Sequence, residues 1–181
     1  MKKTASLCVI VLIISMFTAC NMSYDKDWKA SRDVVSTDGV LQITVPESYK
    51  DVAIGNDAAN LQVANEEDYK YTMTIAESKS DFCESYTLSD FYEVISQSMA
   101  GTLESVDLSD AESVVIGDYD AVQFTLSGTV SNARVKYLVT LIITDTGYYQ
   151  ILSWSLQNLY YDSEATFKRI AESFVELQES A

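Results

Sequence analysis

VKYLVTLII, residues 135–143, is an apolar run in which every second side chain is large. Val135, Tyr137 and Val139 begin a set that continues at residues 141 and 143, and this alternation is typical of a β-strand. Leu138 and Ile142 add apolar bulk to the opposite face. Because both faces are apolar, we predict that this strand lies in the middle of a sheet and is covered on both sides.

Alternating runs also flank this strand on either side. Residues 122–126 and 149–154 alternate in the same way, and short linkers at residues 129–132 and 145–147 join them to it. Short turns connect neighbouring antiparallel strands, so the three strands are predicted to form a meander. Further strands are predicted at residues 40–45, 61–64, 69–76 and 113–116.

Two apolar stripes with helical spacing predict two helices. The first covers residues 88–99, with Thr87 and Asp90 as capping residues and Gly101 at its end. The second covers residues 163–177. Strands followed by a helix, more strands and a closing helix predict an α+β fold, in which an antiparallel β-sheet is flanked by helices.

Several local features resemble the PsbP-like superfamily over residues 34–177. The resemblance implies an α/β/α sandwich around an antiparallel sheet, used as a binding or accessory module without catalysis, and it carries over no functional residue. The matching segments are Val45-Pro46-Glu47-Ser48-Tyr49 at a strand exit, Ile116-Gly117-Asp118-Tyr119-Asp120-Ala121 before a long strand, Tyr148-Tyr149 at the start of another, and Ser173-Phe174 in the closing helix.

The N-terminal residues have the layout of a bacterial lipoprotein signal. Lys2 and Lys3 precede an apolar run at residues 5–19, and Cys20 follows the small residue Ala19. We predict cleavage before Cys20, attachment of diacylglycerol to its sulfur, and an amide-linked acyl chain such as palmitate on its amino group. Lipid-anchored proteins of this type lie at the extracytoplasmic face of the bacterial cell membrane.

Two other interpretations of the leader fit less well. A membrane-spanning helix needs about 20 apolar residues, whereas residues 5–19 supply 15. Ordinary secretory cleavage after Ala19 favours a small side chain at position 17, which is occupied by Phe17. The predicted organisation is a lipoprotein signal peptide at 1–19, a lipidated polar tether at 20–34 and a single PsbP-like domain at 35–181.

The chain is strongly acidic. The leader contains two of the 12 basic residues and none of the 27 acidic ones, so residues 20–181 have a formal net charge of −17. Such a surface repels phosphate backbones, which argues against nucleic acid as a partner. The predicted partners are the membrane, through the lipid anchor, and a protein or small molecule.

The sequence contains few of the side chains that enzymes commonly use for catalysis. The chain has no histidine, which removes the usual general base, the commonest zinc ligand and the ordinary catalytic triads. Cys83 is the one cysteine left beyond Cys20, so no disulfide can form within the processed domain, and we predict that it is not a nucleophile. We predict that the protein is not an enzyme and uses no cofactor.

Acidic residues supply one candidate site. Glu104, Asp107, Asp110 and Glu112 lie within nine positions in a predicted loop and could provide oxygen ligands to calcium or manganese. They lack the spacing and the glycine of an EF-hand loop. A solvated acidic loop is the alternative interpretation.

Aromatic residues supply a second candidate site. Tyr148, Trp154, Tyr160 and Tyr161 lie close in sequence, and exposed aromatic side chains make good contact surfaces. Tyr160 and Tyr161 are predicted to be exposed because they fall between the predicted elements. Strand alternation sends about half of the aromatic residues in this region into the core instead.

Taken together, the sequence predicts a membrane-anchored extracytoplasmic lipoprotein that acts as a noncatalytic binding or accessory module for a protein or small ligand. Two alternatives stay open. One is a carboxylate-based metal-dependent enzyme, which requires several acidic side chains to meet in one cavity. The other is a purely structural component of the cell envelope.

Overall fold

The computed structural model describes residues 26–177, and the predicted leader and Cys20 lie outside this range. Within it the chain forms eleven strands and two α-helices. The helices are α1 (Leu88–Ala100) and α2 (Tyr160–Glu172). The strands are β1 (Ser31–Val35), β2 (Leu41–Pro46), β3 (Lys50–Asp51), β4 (Leu61–Asn65), β5 (Lys70–Ser78), β6 (Glu104–Leu108), β7 (Glu112–Ile116), β8 (Tyr119–Val130), β9 (Ala133–Ile143), β10 (Gly147–Leu156) and β11 (Val175–Glu176).

The strands form two antiparallel sheets. The large sheet has eight strands, with the order β3-β4-β5-β10-β9-β8-β6, and β7 also pairs with β8. The predicted meander of β8, β9 and β10 is therefore confirmed. Its first turn is Ser131-Asn132, in which both residues have positive φ, at 49° and 67°, as a tight hairpin turn requires. The small sheet has the order β1-β2-β11.

Helices and the small sheet cover the two faces of the large sheet. Phe91 of α1 lies in one buried cluster with Phe124 and Leu141 of the sheet. Ile170 of α2 and Ile43 of β2 lie in a second cluster on the other side. The middle strand β9 is buried on both faces, as its sequence predicts, and the predicted α+β sandwich is confirmed.

Helix α1 begins with the predicted capping residues. The Thr87 hydroxyl accepts a hydrogen bond from the Asp90 backbone amide, and the Asp90 carboxylate accepts one from the Thr87 backbone amide. The Thr87 hydroxyl also donates a hydrogen bond to the Asp90 carboxylate over 2.6 Å, and this bond, with the one from the Thr87 amide, holds the pKa of Asp90 below its ordinary value. Gly101 ends the helix, also as predicted.

The position of α2 differs from the prediction. It begins at Tyr160 and ends at Glu172, not at residues 163 and 177. Ser163 does not cap the helix, because its hydroxyl donates to the Leu159 carbonyl 2.9 Å away, inside the first turn. After the helix the chain turns at Ser173 and pairs with β2 as β11.

The predicted polar tether is wrong for its second half, because residues 31–35 form β1 and pair with β2 along its whole length. Only Val34 of this strand packs against the core, so the strand carries little apolar signal. Trp28 also docks on the domain, where it packs against the core and lies under the Arg169 guanidinium, 4.2 Å from ring to charge. The folded domain therefore includes residues that the sequence assigns to the tether.

Neither helix between residues 26 and 177 has the length and apolar character needed to cross a bilayer.

Candidate functional site

A groove of about 870 Å³ lies at one end of the large sheet. Its lining comes from the β7–β8 hairpin, from the end of β9 and the turn after it, from Lys79 just after β5 and from Leu88 at the start of α1. Its apolar lining includes Leu88 and Val115, and its charged lining consists of Lys79, Asp118, Asp120 and Asp145.

The β7–β8 hairpin positions two of these acidic residues. Ile116 pairs with Tyr119, so the turn consists only of Gly117 and Asp118. Gly117 has φ +60°, a conformation that glycine adopts without strain. Asp118 then lies in the turn and Asp120 lies on β8, opposite Val115 of β7, and both line the groove.

The groove has an excess of negative charge. Asp118, Asp120 and Asp145 are exposed, and Lys79 is the one basic side chain in the lining. The Lys79 ammonium donates a hydrogen bond to the Thr144 carbonyl, 3.0 Å away, which holds it beside the end of β9. This combination of open shape, apolar patches and carboxylates suits a ligand with cationic groups.

Behind the groove, the Glu176 carboxylate accepts hydrogen bonds from four hydroxyl groups. Tyr149 donates over 2.8 Å and Tyr119 over 3.2 Å, and Thr144 and Thr146 donate to the same carboxylate. Burial pushes the pKa of Glu176 upward, but these bonds outweigh it and hold the pKa below its ordinary value. Glu176 is therefore ionised and fully engaged in fixing β11 to the sheet.

The pKa of Tyr149, which donates to this carboxylate, is shifted upward. Burial, together with the hydrogen bond to Glu176, raises the pKa of Tyr149 to about 12. The phenol thus stays protonated and keeps donating. The arrangement stabilises the C-terminal strand and leaves neither group poised to exchange protons with a ligand near neutral pH.

The structure separates the four predicted aromatic site residues. Tyr148 is 1 % exposed and lies between Phe82 and Phe91, and Tyr160 is 4 % exposed against Phe167. The prediction that Tyr160 is exposed is wrong, because it belongs to the buried side of α2 and does not lie between elements.

The other two aromatic residues keep some access to solvent. Trp154 is half-buried between the rings of Tyr71 and Tyr137. Tyr161, at 88 % exposed, is the residue of the four that solvent reaches freely. A binding role for Trp154 or Tyr161 stays a prediction, but the four do not form one surface patch.

The predicted acidic loop is wrong as a loop. Glu104 and Asp107 lie on β6, Glu112 is the first residue of β7, and Asp110 lies between these two strands. Because both strands pair with β8, the four acidic residues are spread along one side of β8. In residues 26–177 no three acidic or cysteine side chains come together in a way that could hold a metal ion. Extended strands keep the carboxylates apart, which a folded loop would not.

Of the two cysteines beyond the predicted leader, Cys83 lies among the described residues and Cys20 does not. Lipidation at Cys20 lies outside the described residues and stays a prediction. Cys83 is an exposed free thiol beside the Ser85 hydroxyl, 3.4 Å from sulfur to oxygen.

Sequence reasoning missed Glu176 and the Asp27–Lys70 ion pair. The apolar stripe of α2 continues through residues 174 and 177, which hides the change from helix to strand. Lys70 lies at the start of a strand whose buried face is polar, with Thr72 and Thr74 fully buried. No local pattern indicates a buried lysine with a partner 43 residues earlier.

Comparison with known proteins identifies solved structures with a similar fold. No protein-family model and no curated protein matches the sequence. A cyanobacterial PsbP from Synechocystis superimposes with a TM-score of 0.60 at 13 % identity, over 82 % of this chain and 93 % of that one. LpqN of Mycobacterium tuberculosis, described as involved in cell envelope biogenesis, gives 0.60 at 12 % identity, over 82 % and 91 %.

A third similar structure, a protein of unknown function from Pseudomonas aeruginosa, gives a TM-score of 0.53 at 8 % identity over 82 % of this chain and 98 % of that one. Each of these proteins is covered almost from end to end, so the shared structure is a whole domain. The chain has the PsbP-like fold.

Proposed function

We propose that this protein is an extracytoplasmic lipoprotein whose PsbP-like domain is a noncatalytic accessory module, and that it binds a protein or small-molecule partner through the groove. The observation that carries the proposal is the placement of the groove relative to the anchored end of the domain. The first residues that the structure describes dock at one end of the large sheet, and the groove lies at the other.

The docked end is fixed by the buried contacts of residues 27 and 28. Asp27 pairs with Lys70, the first residue of β5, while the groove residue Lys79 directly follows the last residue of β5. The first and last of the nine residues of β5 are about 26 Å apart, because a strand rises about 3.3 Å at each step between neighbouring residues. Seven residue steps lead from Cys20 to Asp27, and they reach at most about 25 Å. An acyl chain on Cys20 therefore holds the Lys70 end beside the bilayer and leaves the groove on the far side.

The groove itself favours binding over catalysis. Its carboxylates are exposed, and the most constrained acid nearby, Glu176, has a lowered pKa that makes it a weaker base. The chain also has no histidine to act as proton acceptor. These features support a recognition surface.

The similarity to LpqN supports the envelope location. That protein is described as involved in cell envelope biogenesis, and it shares the fold over 91 % of its length. For this chain the leader before Cys20 supports the same location independently.

Metabolic labelling with an alkyne fatty acid tests the anchor. We expect wild-type protein and the Cys8→Ser control, altered inside the leader, to carry the label, and Cys20→Ser to lose both the label and membrane association. Label on Cys20→Ser, or unlabelled protein in the soluble interior of the cell, contradicts the proposal.

A photo-crosslinking amino acid tests the groove in intact cells. Position 115 lies in the groove and is 68 % exposed, and position 94 lies on α1 and is 53 % exposed, so they form a matched pair. We expect a discrete adduct from position 115 and none from position 94. Equal adducts from both positions, or none from 115, contradict a role for the groove.

A further inference from the structure

We infer that the groove and the outer edge of β7 accept an extended, basic polypeptide segment, which adds to the large sheet as a further strand. The inference rests on the proposed function and specifies the partner of the same site. It follows from an unpaired sheet edge, an exposed apolar side chain on that edge and the sign of the surrounding charge.

Strand β7 has a regular edge with no partner strand. All five of its residues pair with β8 without a break in register. On its other side no strand of residues 26–177 pairs with it. An edge of this kind presents unpaired amide and carbonyl groups at the spacing that an incoming strand needs.

The neighbouring edge strand β6 is protected, and β7 is not. Ser105 in β6 has φ +52°, and the register with β8 shifts between Glu104 and Asp107. Irregularities of this type disrupt an edge and discourage strand addition. Along the side of β8 that β6 and β7 share, the contrast limits the available edge to residues 112–116.

Val115 supplies an apolar contact for the incoming strand. It is 68 % exposed and lines the groove, where Leu88 provides a second apolar surface. Side chains of an added strand alternate between the two faces of the sheet. Every second residue of the segment would therefore lie along the groove.

Charge determines which segment fits. Glu112 lies on the edge strand, and Asp118, Asp120 and Asp145 line the groove beside it, against the single ammonium of Lys79. Lysine or arginine side chains on the incoming strand complement this set. A second copy of this chain does not, because it would bring the same acidic edge and a formal net charge of −17 against itself.

Peptide binding to the full-length lipoprotein in neutral detergent micelles tests the inference. The probe is a fluorescent heptapeptide in which lysine and valine take turns at every second position with threonine between them, so that both face the groove, and its control has glutamate in place of lysine. A third peptide keeps the lysines but is N-methylated at alternate amides, which removes strand hydrogen bonding. We expect binding of the first peptide alone, measured by fluorescence anisotropy at low and at physiological salt.

Two triple variants distinguish binding at the groove from general attraction between a basic peptide and an acidic protein. The first is Asp118→Asn with Asp120→Asn and Asp145→Asn, and the control is Asp57→Asn with Glu66→Gln and Glu67→Gln. Both remove three negative charges from exposed side chains, but the control positions belong to the segments around β4, at the opposite edge of the sheet. We expect the groove variant to weaken binding at least about tenfold and the control variant less than about twofold.

Hydrogen exchange provides the readout that charge attraction alone would not change. Bound peptide should slow the exchange of outward-facing backbone amides in residues 112–116. No binding, equal loss in both triple variants, or binding of the N-methylated peptide without protection of β7 would overturn the inference. The labelling of Cys20 and the adduct from position 115 are independent of these outcomes, so the proposed function can survive this failure.

Discussion

Lys70 and Asp27 form an ion pair in which the two side chains are 5 % and 8 % exposed. The Thr166 hydroxyl donates to the same carboxylate over 3.3 Å, so residues from the N-terminal segment, β5 and α2 meet at this point. The pair fixes the part of the domain nearest to the predicted lipid anchor.

Replacing Asp27 with asparagine should destabilise the domain strongly. The change leaves the buried Lys70 ammonium without its counter-charge, which costs about 3–5 kcal/mol of unfolding free energy. Asp51→Asn is the control, because Asp51 pairs with Arg32 at the surface and is 75 % exposed; its loss should cost less than about 1 kcal/mol. Urea unfolding measures both, and equal effects would contradict a structural role for the buried pair.

Glu176 should make stability depend on pH on the acidic side. Its folded-state pKa lies below the ordinary value of 4.5, so the unfolded chain binds a proton more readily. Its contribution is complete above that ordinary value and is lost as the pH falls through the folded-state pKa.

Glu176→Gln should reduce this acid sensitivity without abolishing it, because Asp90 also has a lowered pKa. At neutral pH the variant should lose about 1 kcal/mol, a modest figure because the carboxylate is only partly buried. Urea midpoints between pH 3 and 7 measure the effect, with the exposed Glu172→Gln as control. Parallel curves for wild type and Glu176→Gln would contradict the prediction.

Gly128 should not tolerate a side chain. A Cβ atom there would lie 2.8 Å from the Leu103 Cβ and 3.0 Å from the Glu104 carbonyl oxygen, where β6 crosses against β8. Gly128→Ala should therefore lower the unfolding free energy by about 1–3 kcal/mol. Gly101→Ala is the control, since its Cβ would approach no atom closer than 3.4 Å. A thermal midpoint for Gly128→Ala equal to that of wild type would refute the close approach.

The Tyr160 hydroxyl is buried and has no hydrogen-bond partner among residues 26–177. Burial raises the pKa of Tyr160, and Lys136 lies over the ring, 4.7 Å from its centre. Tyr160→Phe keeps this contact and removes the unsatisfied hydroxyl, so it should stabilise the domain by up to about 1 kcal/mol.

Tyr148→Phe is the matched comparison. The Tyr148 hydroxyl donates to the Tyr86 carbonyl over 3.0 Å, so removing it should destabilise the domain by about 1 kcal/mol. Thermal unfolding of the two variants should give shifts of opposite sign. Destabilisation by Tyr160→Phe would indicate that its hydroxyl does have a partner in solution.

Elements with a strong apolar period were predictable from the sequence. The double-faced strand of residues 135–143 indicated the centre of the sheet, and the Thr87–Asp90 spacing located the start of α1. The apolar period does not predict an element whose stabilising partner is distant in sequence. Strand β1 is held by its pairing with β2 and by few apolar contacts of its own, so its sequence resembles a polar linker.

The site was harder to predict than the fold. The more apolar face of β5, which includes Tyr71 and Met73, is half-buried, while the opposite face with Thr72 and Thr74 is fully buried. Hydroxyl pairs such as Thr72–Ser153 satisfy that polar face across strands, 2.9 Å apart, and no single-strand pattern reveals such partners. The groove likewise combines residues from three separate parts of the chain.

The small sheet has a consequence for folding kinetics. Its last strand pairs Val175 with Gln42, two residues separated by most of the described chain. Such a distant contact forms only after a large loss of chain entropy, so folding dominated by it is slow. We expect β1 and β2 to stay incompletely covered until β11 pairs with β2, and a newly synthesised chain to be most vulnerable to proteases during that interval.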